Sequence, residues 1–584
     1  MSSRRPDRLV PMALIPIFLV QLLVGAACRG SRRETGPAPG ARTSTQRPLA
    51  MSQVRFGGEY GTRFMAAVAH ELTWTDLYTL ASFVATTSGV PGGLWFDWPG
   101  DQIGRWLSLA HVAQGYGWST QAFPPRVLAD AVLPLQTADG NFGPPGSGRV
   151  MDVRMLSGNA FALRGLMDAY EDTHDVRFLE AARRLGRYFE RIAPSWETKR
   201  DGHLHEFYGH CLDGLVALFE QGGDRWALDA AERIAAHAGR TSHTHHSLSL
   251  CRGLVDLAVA TGKREYLDKA EDYLAWCREN RSVSGGLPEA MPISEQDEGC
   301  GLADWVVVNM MMARATGEDR YVDDAENTLV NHLFMNQFHT GGFGHLSFTQ
   351  DIVGGKMWQG WEGRFGSENP GCCSLWGTWA LGQAGRYVVT EGDDTVFVNL
   401  YPEAAVDLPG KGVRLEISSD FPRLSRVRIR VISTEGRKFA LALRIPAWAE
   451  AAEVSCGGNL VTKRETGTRL LVARRWRGVT DVDIEFRAGV RLVPWPPGKP
   501  SGTGVFDGPL CLGLPADAAD VEASWEILTD DSGRPRLDAQ GRAQVADRSG
   551  LVIHALEPVS ARWLLPDVRN PMRRRILFST KGAR

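Results

Sequence analysis

The chain has 584 residues, 43% apolar and 23% charged, with a formal net charge of −3. That length exceeds one ordinary core and predicts several domains. A balance so near zero, without a basic stretch in the body of the chain, excludes the electrostatic footprint of a nucleic-acid binder.

At the N-terminus Arg4, Arg5 and Arg8 precede an apolar run from Leu9 to Ala27, and Gly25-Ala26-Ala27 leads into Cys28. The arrangement resembles a bacterial lipoprotein signal, so residues 1–28 are expected to direct export and Cys28 to carry a membrane lipid anchor. Soluble secretion is the alternative. Residues 29–54, rich in Gly, Pro, Ser, Thr and Arg, read as a flexible linker.

Residues 55–392 are dominated by helical periodicity. A phrase recurs in Phe178-Leu179-Glu180-Ala181-Ala182, Leu228-Asp229-Ala230-Ala231-Glu232, Tyr266-Leu267-Asp268-Lys269-Ala270-Glu271 and Tyr321-Val322-Asp323-Asp324-Ala325-Glu326. Each opens an amphipathic helix, and two follow Thr261-Gly262-Lys263 and Thr316-Gly317-Glu318. Apolar partner helices lie between them, including Ala160–Leu166 and Leu248–Leu254. Repeated helical hairpins predict an (α/α)6 barrel, with an open solenoid as the alternative. From 393 to 515 the period changes to two, as in Val427-Arg428-Ile429-Arg430-Val431 and Val482-Asp483-Ile484-Glu485-Phe486, which predicts an antiparallel β-sandwich. Residues 516–584 read as a β/irregular extension, in which Arg573-Arg574-Arg575 is expected to be a solvated tail. The fold class is α+β and multidomain.

Setting Cys28 aside, eight cysteines remain. Cys211, Cys251 and Cys277 fall in predicted helices, where a buried free thiol is the simple reading. Glu298-Gly299-Cys300 and Cys372-Cys373 differ, because three soft sulfurs and a carboxylate suit tetrahedral Zn²⁺. Cys-x-x-Cys and His-Glu-x-x-His spacings are absent from the sequence, so spacing alone leaves unrelated cysteines as the alternative.

Several further fragments carry a resemblance. They are Trp95 to Trp106, His203 to His210, Gly286-Leu287-Pro288-Glu289-Ala290, Glu298-Gly299-Cys300, Gly371-Cys372-Cys373, Val398-Asn399-Leu400-Tyr401, Leu443-Arg444-Ile445-Pro446-Ala447-Trp448 and Gly508-Pro509-Leu510. In order and spacing the set resembles glycoside hydrolase family 127, the β-L-arabinofuranosidase family, over about residues 55–515. The resemblance implies a retaining hydrolase acting on an arabinose-containing or similar glycan, with Cys372 as nucleophile and Glu289 as general acid and base. It implies that Glu298, Cys300, Cys372 and Cys373 bind zinc, and that His203, His210, His246 and Trp95 meet the sugar. Trp98, Trp358 and Trp361 are further candidates for a stacking wall. Ser374-Leu375-Trp376 stands where the family commonly has Pro-Pro-Asn, and Gly299 where Thr is usual. Two other readings are a polysaccharide lyase or unsaturated uronyl hydrolase on the same toroid, and a glycan-binding lipoprotein with structural zinc.

Overall fold

A computed structural model describes residues 46–74, 77–89, 98–120, 124–147, 153–195, 209–239, 241–292, 294–338, 340–346, 351–353, 371–465, 469–496, 502–515, 521, 523–560 and 573–580. Cys28, Trp95, His203, Trp358 and Trp361 lie outside the described residues.

The helical part comprises α1 (Gly58–Trp74), α2 (Leu77–Thr87), α3 (Asp101–Gly115), α4 (Pro125–Val132), α5 (Val153–Thr173), α6 (Val176–Ile192), α7 (Leu212–Gly222), α8 (Arg225–His237), α9 (Thr244–Thr261), α10 (Glu265–Asn280), α11 (Gly299–Thr316), α12 (Asp319–Thr328), α13 (Phe334–Asn336) and α14 (Cys372–Gly385). Helices α3, α5, α7, α9, α11 and α14 pack in that order, and α14 returns to α3, so six inner helices close a ring. Their composition explains the position. In α14 every residue from Cys373 to Gly385 is buried, and in α11 every residue from Gly299 to Ala313, as expected of helices without a solvent face.

The recurrent phrases all fall on outer helices, α6, α8, α10 and α12. Each buries one stripe, such as Phe178, Ala181, Ala182, Leu185 and Phe189 of α6. Gly223, Gly262 and Gly317 end inner helices α7, α9 and α11 with φ of 73°, 74° and 79°. This left-handed cap turns the chain sharply into the next outer helix. Between α3 and α5 the backbones nearly touch: a Cβ on Gly104 would come within 2.3 Å of the Phe161 backbone.

Helix α1 packs against α14. There the Ser374 hydroxyl donates to the Glu71 carboxyl, and Tyr60 donates to the Leu381 carbonyl at 2.5 Å. Glu71 is fully buried, its Oε2 has no hydrogen-bond partner among the described residues, and burial pushes its pKa up to about 8.

Strands follow, numbered through the whole chain. A five-stranded sheet has the order β1 (Arg47–Pro48), β4 (Val389–Glu391), β5 (Thr395–Val398), β9 (Lys438–Arg444) and β12 (Arg469–Arg475). A seven-stranded sheet runs β11 (Asn459–Glu465), β10 (Ala451–Cys456), β13 (Gly478–Arg487), β8 (Arg426–Ser433), β7 (Val413–Ser419), β6 (Ala404–Leu408) and β2 (Val54–Phe56). Pairing within these two sheets is antiparallel apart from β5 with β9. Strands β1 and β2 correct the sequence reading at its edge. Residues 47–48 and 54, assigned there to the linker, instead extend the two sheets.

The sandwich also ends earlier than its period suggests. Strands β14 (Val490–Trp495), β15 (Gly502–Asp507) and β16 (Leu510–Gly513) pair with β20 (Glu557–Pro558) in a separate sheet. A second small sheet joins β17 (Trp525–Ile527), β18 (Gln544–Asp547), β19 (Ile553–Ala555) and β22 (Ser579–Thr580). The run at 573–575 is not wholly a solvated tail either: β21 (Arg574–Arg575) pairs with β3 (Ile352–Val353), Arg574 is buried, and Arg575 meets Asp351 at 3.1 Å. No helix of the described residues is long and apolar enough to cross a membrane.

Barrel and sandwich share one continuous apolar core. Fully buried Arg444 pins it, contacting Asp323 at 2.6 Å, Glu326 at 2.6 Å and the Asn399 carbonyl at 2.6 Å. Removing one partner of such a pair strands the other charges in low dielectric. Arg444→Ala is therefore expected to cost about 3–5 kcal/mol. Arg428→Ala, which loses only an exposed pair with Asp483, should leave the unfolding midpoint almost unchanged. Equilibrium urea unfolding checks both.

The Glu71 carboxyl has a pH consequence. Between its unfolded pKa, about 4.5, and its native value, about 8, the native state keeps a proton that the unfolded chain has released. Stability falls as pH rises through that window and levels off above it. Glu71→Gln removes the dependence, so its melting temperature relative to wild type should rise from pH 5 to pH 9. A constant difference would contradict the buried neutral acid.

Candidate active site

All six inner helices run the same way. N-terminal residues of α3, α9, α11 and α14 line one cavity, of about 210 Å³, and C-terminal residues line another at the opposite end. The loops before those N-termini therefore converge on a single mouth.

Glu298 is the N-cap of α11 and Cys300 lies in its first turn, whereas Gly371 caps α14 and Cys372 and Cys373 open it. One ligand atom from each of Glu298, Cys300, Cys372 and Cys373 lies within 4.8 Å of every other. The sulfurs of Cys300 and Cys373 are 3.6 Å apart, and those of Cys372 and Cys373 3.8 Å. Tetrahedral bonds of about 2.3 Å would set sulfurs about 3.7 Å apart, so the spacing fits a metal of zinc-like size. Buried Glu298 Oε2 has no hydrogen-bond partner among the described residues, a gap that a cation would fill. Gly299 permits the approach: a Cβ there would lie 3.1 Å from Cys373 Cβ and 3.0 Å from the Gly344 carbonyl.

Charge is concentrated on one sulfur. Contacts from Cys300 and Cys373 hold the Cys372 thiol well below its ordinary pKa, against burial, with help from His345 and Arg105. Burial pushes Cys300 well up and Cys373 up to about 12. Burial, then Cys372 and Glu289, raises Glu298 well above the carboxylate range. Two helix N-termini add positive potential at the same point.

Arg105 is the principal buried cation here. Its Nε donates to both Asp101 oxygens at 3.0 Å, Nη2 reaches His245 Nε2 at 3.0 Å, and Nη1 lies 3.7 Å from Cys300 Sγ. Its guanidinium stacks on Phe161, 3.7 Å from the ring centroid. His245 Nδ1 donates to Asp304 at 2.8 Å, leaving Nε2 to accept from Arg105. Asp304, held well below the usual carboxylate range by Arg252 and His245 against burial, also accepts from Ser249 and Trp376 at 2.8 Å. This network uses Trp376 of the unfamiliar Ser374-Leu375-Trp376 to aim Arg105.

Glu289 comes from the loop between α10 and α11. Its carbonyl accepts from Thr244 N at 2.8 Å, its amide donates to the Gln296 carbonyl at 2.9 Å, and the Gln296 side chain donates to its carboxyl. The carboxylate, about a quarter exposed, shares the cavity wall with Cys372. His243 Nε2 stands 3.9 Å from both Glu289 and Glu298, and burial keeps it neutral, with a pKa lowered to about 3. His246 stacks on His243 at 4.0 Å and lines the cavity with Trp98.

Of the expected sugar ligands, His246 is at the cavity and His210 is not. His210 lies one layer deeper, with Nδ1 3.2 Å from the Ser157 hydroxyl and Nε2 donating to the His246 carbonyl at 2.9 Å. Both ring nitrogens are thus engaged, Nδ1 with α5 and Nε2 with the N-terminal turn of α9. Sequence reasoning missed Asp101, Gln102, Arg105, His243, His245 and His345 as wall residues. Asp101 and Arg105 at i,i+4 within the Trp95–Trp106 fragment were the readable signal. His345 had none, since the Asp297 carbonyl, accepting from its Nδ1 at 3.1 Å, comes from a distant loop.

Residues 395–488 match the family model described as beta-L-arabinofuranosidase, GH127 middle domain. No curated protein matches the chain in sequence. Among solved structures, a GH127 beta-arabinofuranosidase is similar at 17% identity, with 92% of this chain and 98% of that one covered and a TM-score of 0.70. A GH127 beta-L-arabinofuranosidase from Geobacillus stearothermophilus T6 is similar at 16% identity, with 90% and 100% covered and a TM-score of 0.68. A structure titled glycoside hydrolase gives 16% identity, 92% and 98% covered, and a TM-score of 0.68. Residues 395–488 thus match the GH127 middle domain, and over about nine-tenths of its length the chain has the fold of solved GH127 beta-arabinofuranosidases.

Proposed function

We propose that this protein is a retaining glycoside hydrolase that releases a terminal L-arabinofuranose or a similar sugar from a glycan. The observation that carries this reading is the pairing, on one small cavity, of the Glu289 carboxyl with the Cys372 sulfur. A cavity of about 210 Å³ is smaller than the usual ligand pocket of about 300–1,000 Å³ and suits one sugar residue rather than a chain segment.

Glu298, Cys300, Cys372 and Cys373 would hold zinc, which supplies the positive charge that keeps the thiols deprotonated. Cys372 sulfur attacks the anomeric carbon while the glycosidic C–O bond breaks and protonated Glu289 gives its proton to the leaving oxygen. Glu289, now a carboxylate, takes a proton from water, whose oxygen displaces the sulfur and frees Cys372. Two inversions at the same carbon retain configuration. Neutral His243 and His246 offer ring nitrogens to sugar hydroxyls, and Arg105 and His345 hold the thiolate in place.

Turnover of an aryl β-L-arabinofuranoside tests the assignment. Glu289→Gln should lower kcat by about 10²–10⁴-fold, and Cys372→Ser should remove measurable turnover, with the first-formed sugar of wild type retained by proton NMR. Undiminished turnover in Cys372→Ser would refute the nucleophile. An inverted or unsaturated product would favour the other toroid chemistries, and no glycoside cleaved at all would favour a binding protein.

A further inference from the structure

A further cavity, of about 230 Å³, lies between α12, the loop after β9 and strands β14 and β15. Two sequence fragments that the barrel mouth does not use, Leu443–Trp448 and Gly508–Leu510, both reach it, through Ala447, Trp448 and Pro509.

Its charges are unequal in one respect. Asp323 and Glu326 are each 2.6 Å from Arg444, and Asp324 is 2.5 Å from Arg278 and 2.7 Å from Arg281, so the acids on the wall are neutralised. Arg491 is not. Its Nη1 donates to the Gly508 carbonyl at 2.5 Å and its guanidinium lies 4.6 Å from the Phe506 ring centroid, but it forms no ion pair among the described residues. Burial lowers the guanidinium pKa to about 10, against weaker attractions to Cys511 and then Asp507. A partly desolvated cation without a counter-ion is costly, and in a plain gap between domains an apolar side chain would fill the place better.

Beside it, the indole N–H of Trp448 donates to Glu326 Oε2 at 2.9 Å, Phe486 packs edge-on at 5.3 Å, and the rest of the half-buried ring lines the cavity. Carboxylates keep lone pairs to spare for hydroxyl donors even when paired to arginine. An aromatic face, hydroxyl acceptors and an unpaired guanidinium fork together match a sugar ring that bears a carboxylate.

We propose that this cleft is a second saccharide subsite, separate from the barrel mouth and specific for a uronic acid residue, with Arg491 taking the carboxylate and Trp448 the apolar ring face. Such a subsite would hold an acidic glycan against the protein independently of turnover.

Ligand-observed NMR titration of the full chain with D-glucuronate, D-glucose and inorganic phosphate tests it. D-Glucuronate should bind at one site and D-glucose at least tenfold more weakly, and equimolar phosphate should not displace the uronate. Arg491→Gln should weaken D-glucuronate at least tenfold. Ala447→Glu, which places an acid on an exposed rim residue without entering the core, should do the same. Aryl glycoside turnover, where present, should stay within twofold in both variants. The proposal fails if D-glucuronate does not bind, if either variant, folded by its melting temperature, binds it as wild type does, or if L-arabinose displaces it, which would place it in the barrel mouth. Displacement by phosphate would show an unselective anion site and would also overturn the assignment.

Discussion

Three sulfurs and a carboxylate crowded within 4.8 Å, almost wholly out of water, would repel one another if ionised and would satisfy nothing if neutral. The barrel mouth is organised around that constraint. Two inner-helix N-termini point at the group, Arg105 approaches from α3, and His345 is held against it by a loop carbonyl. Arg105 in turn keeps its aim through His245 and Asp304, a hydrogen-bonded chain that runs from the cavity into the barrel axis. A thiophilic cation held there would complete the charge balance and fill the gap at Glu298 Oε2.

The β-domains serve this arrangement at a distance. Sheets extended by β1 and β2 hold residues 47–56 beside the end of α14, and so brace the place where α1 packs on α14. Arg444 locks β9 to α12, whose continuation carries His332 and Asn336. Those two side chains bind Asp297, 2.8 and 3.2 Å away, immediately before metal-ligand candidate Glu298. Packing between domains therefore bears on the geometry of the site through a short series of contacts.

Much of this was legible in the sequence, for physical reasons that also mark where legibility stopped. Outer helices announce themselves by a one-sided apolar stripe and, before α8, α10 and α12, by glycine at the preceding cap, and the four recurrent phrases all became outer helices. Inner helices such as α11, with Val306-Val307-Val308, are apolar all round and are readable only as partners of the outer ones. Period two predicts a strand but not its neighbour, which is why β14 to β16 read as sandwich although they pair with residues 557–558. Two-residue strands such as β1 carry no periodic signal at all. At the site, the cysteines and glutamates stood out by chemistry. His243 and His345 did not, because their value comes from distant loops brought alongside, and His210 misled because both of its nitrogens are already used.

X-ray absorption at the zinc K-edge of the purified full chain tests the central claim most directly. The account predicts one zinc per chain with three sulfur neighbours at about 2.3 Å and one oxygen neighbour at about 2.0–2.2 Å. A first shell of nitrogen and oxygen alone, or a chain that binds no stoichiometric metal, would contradict it.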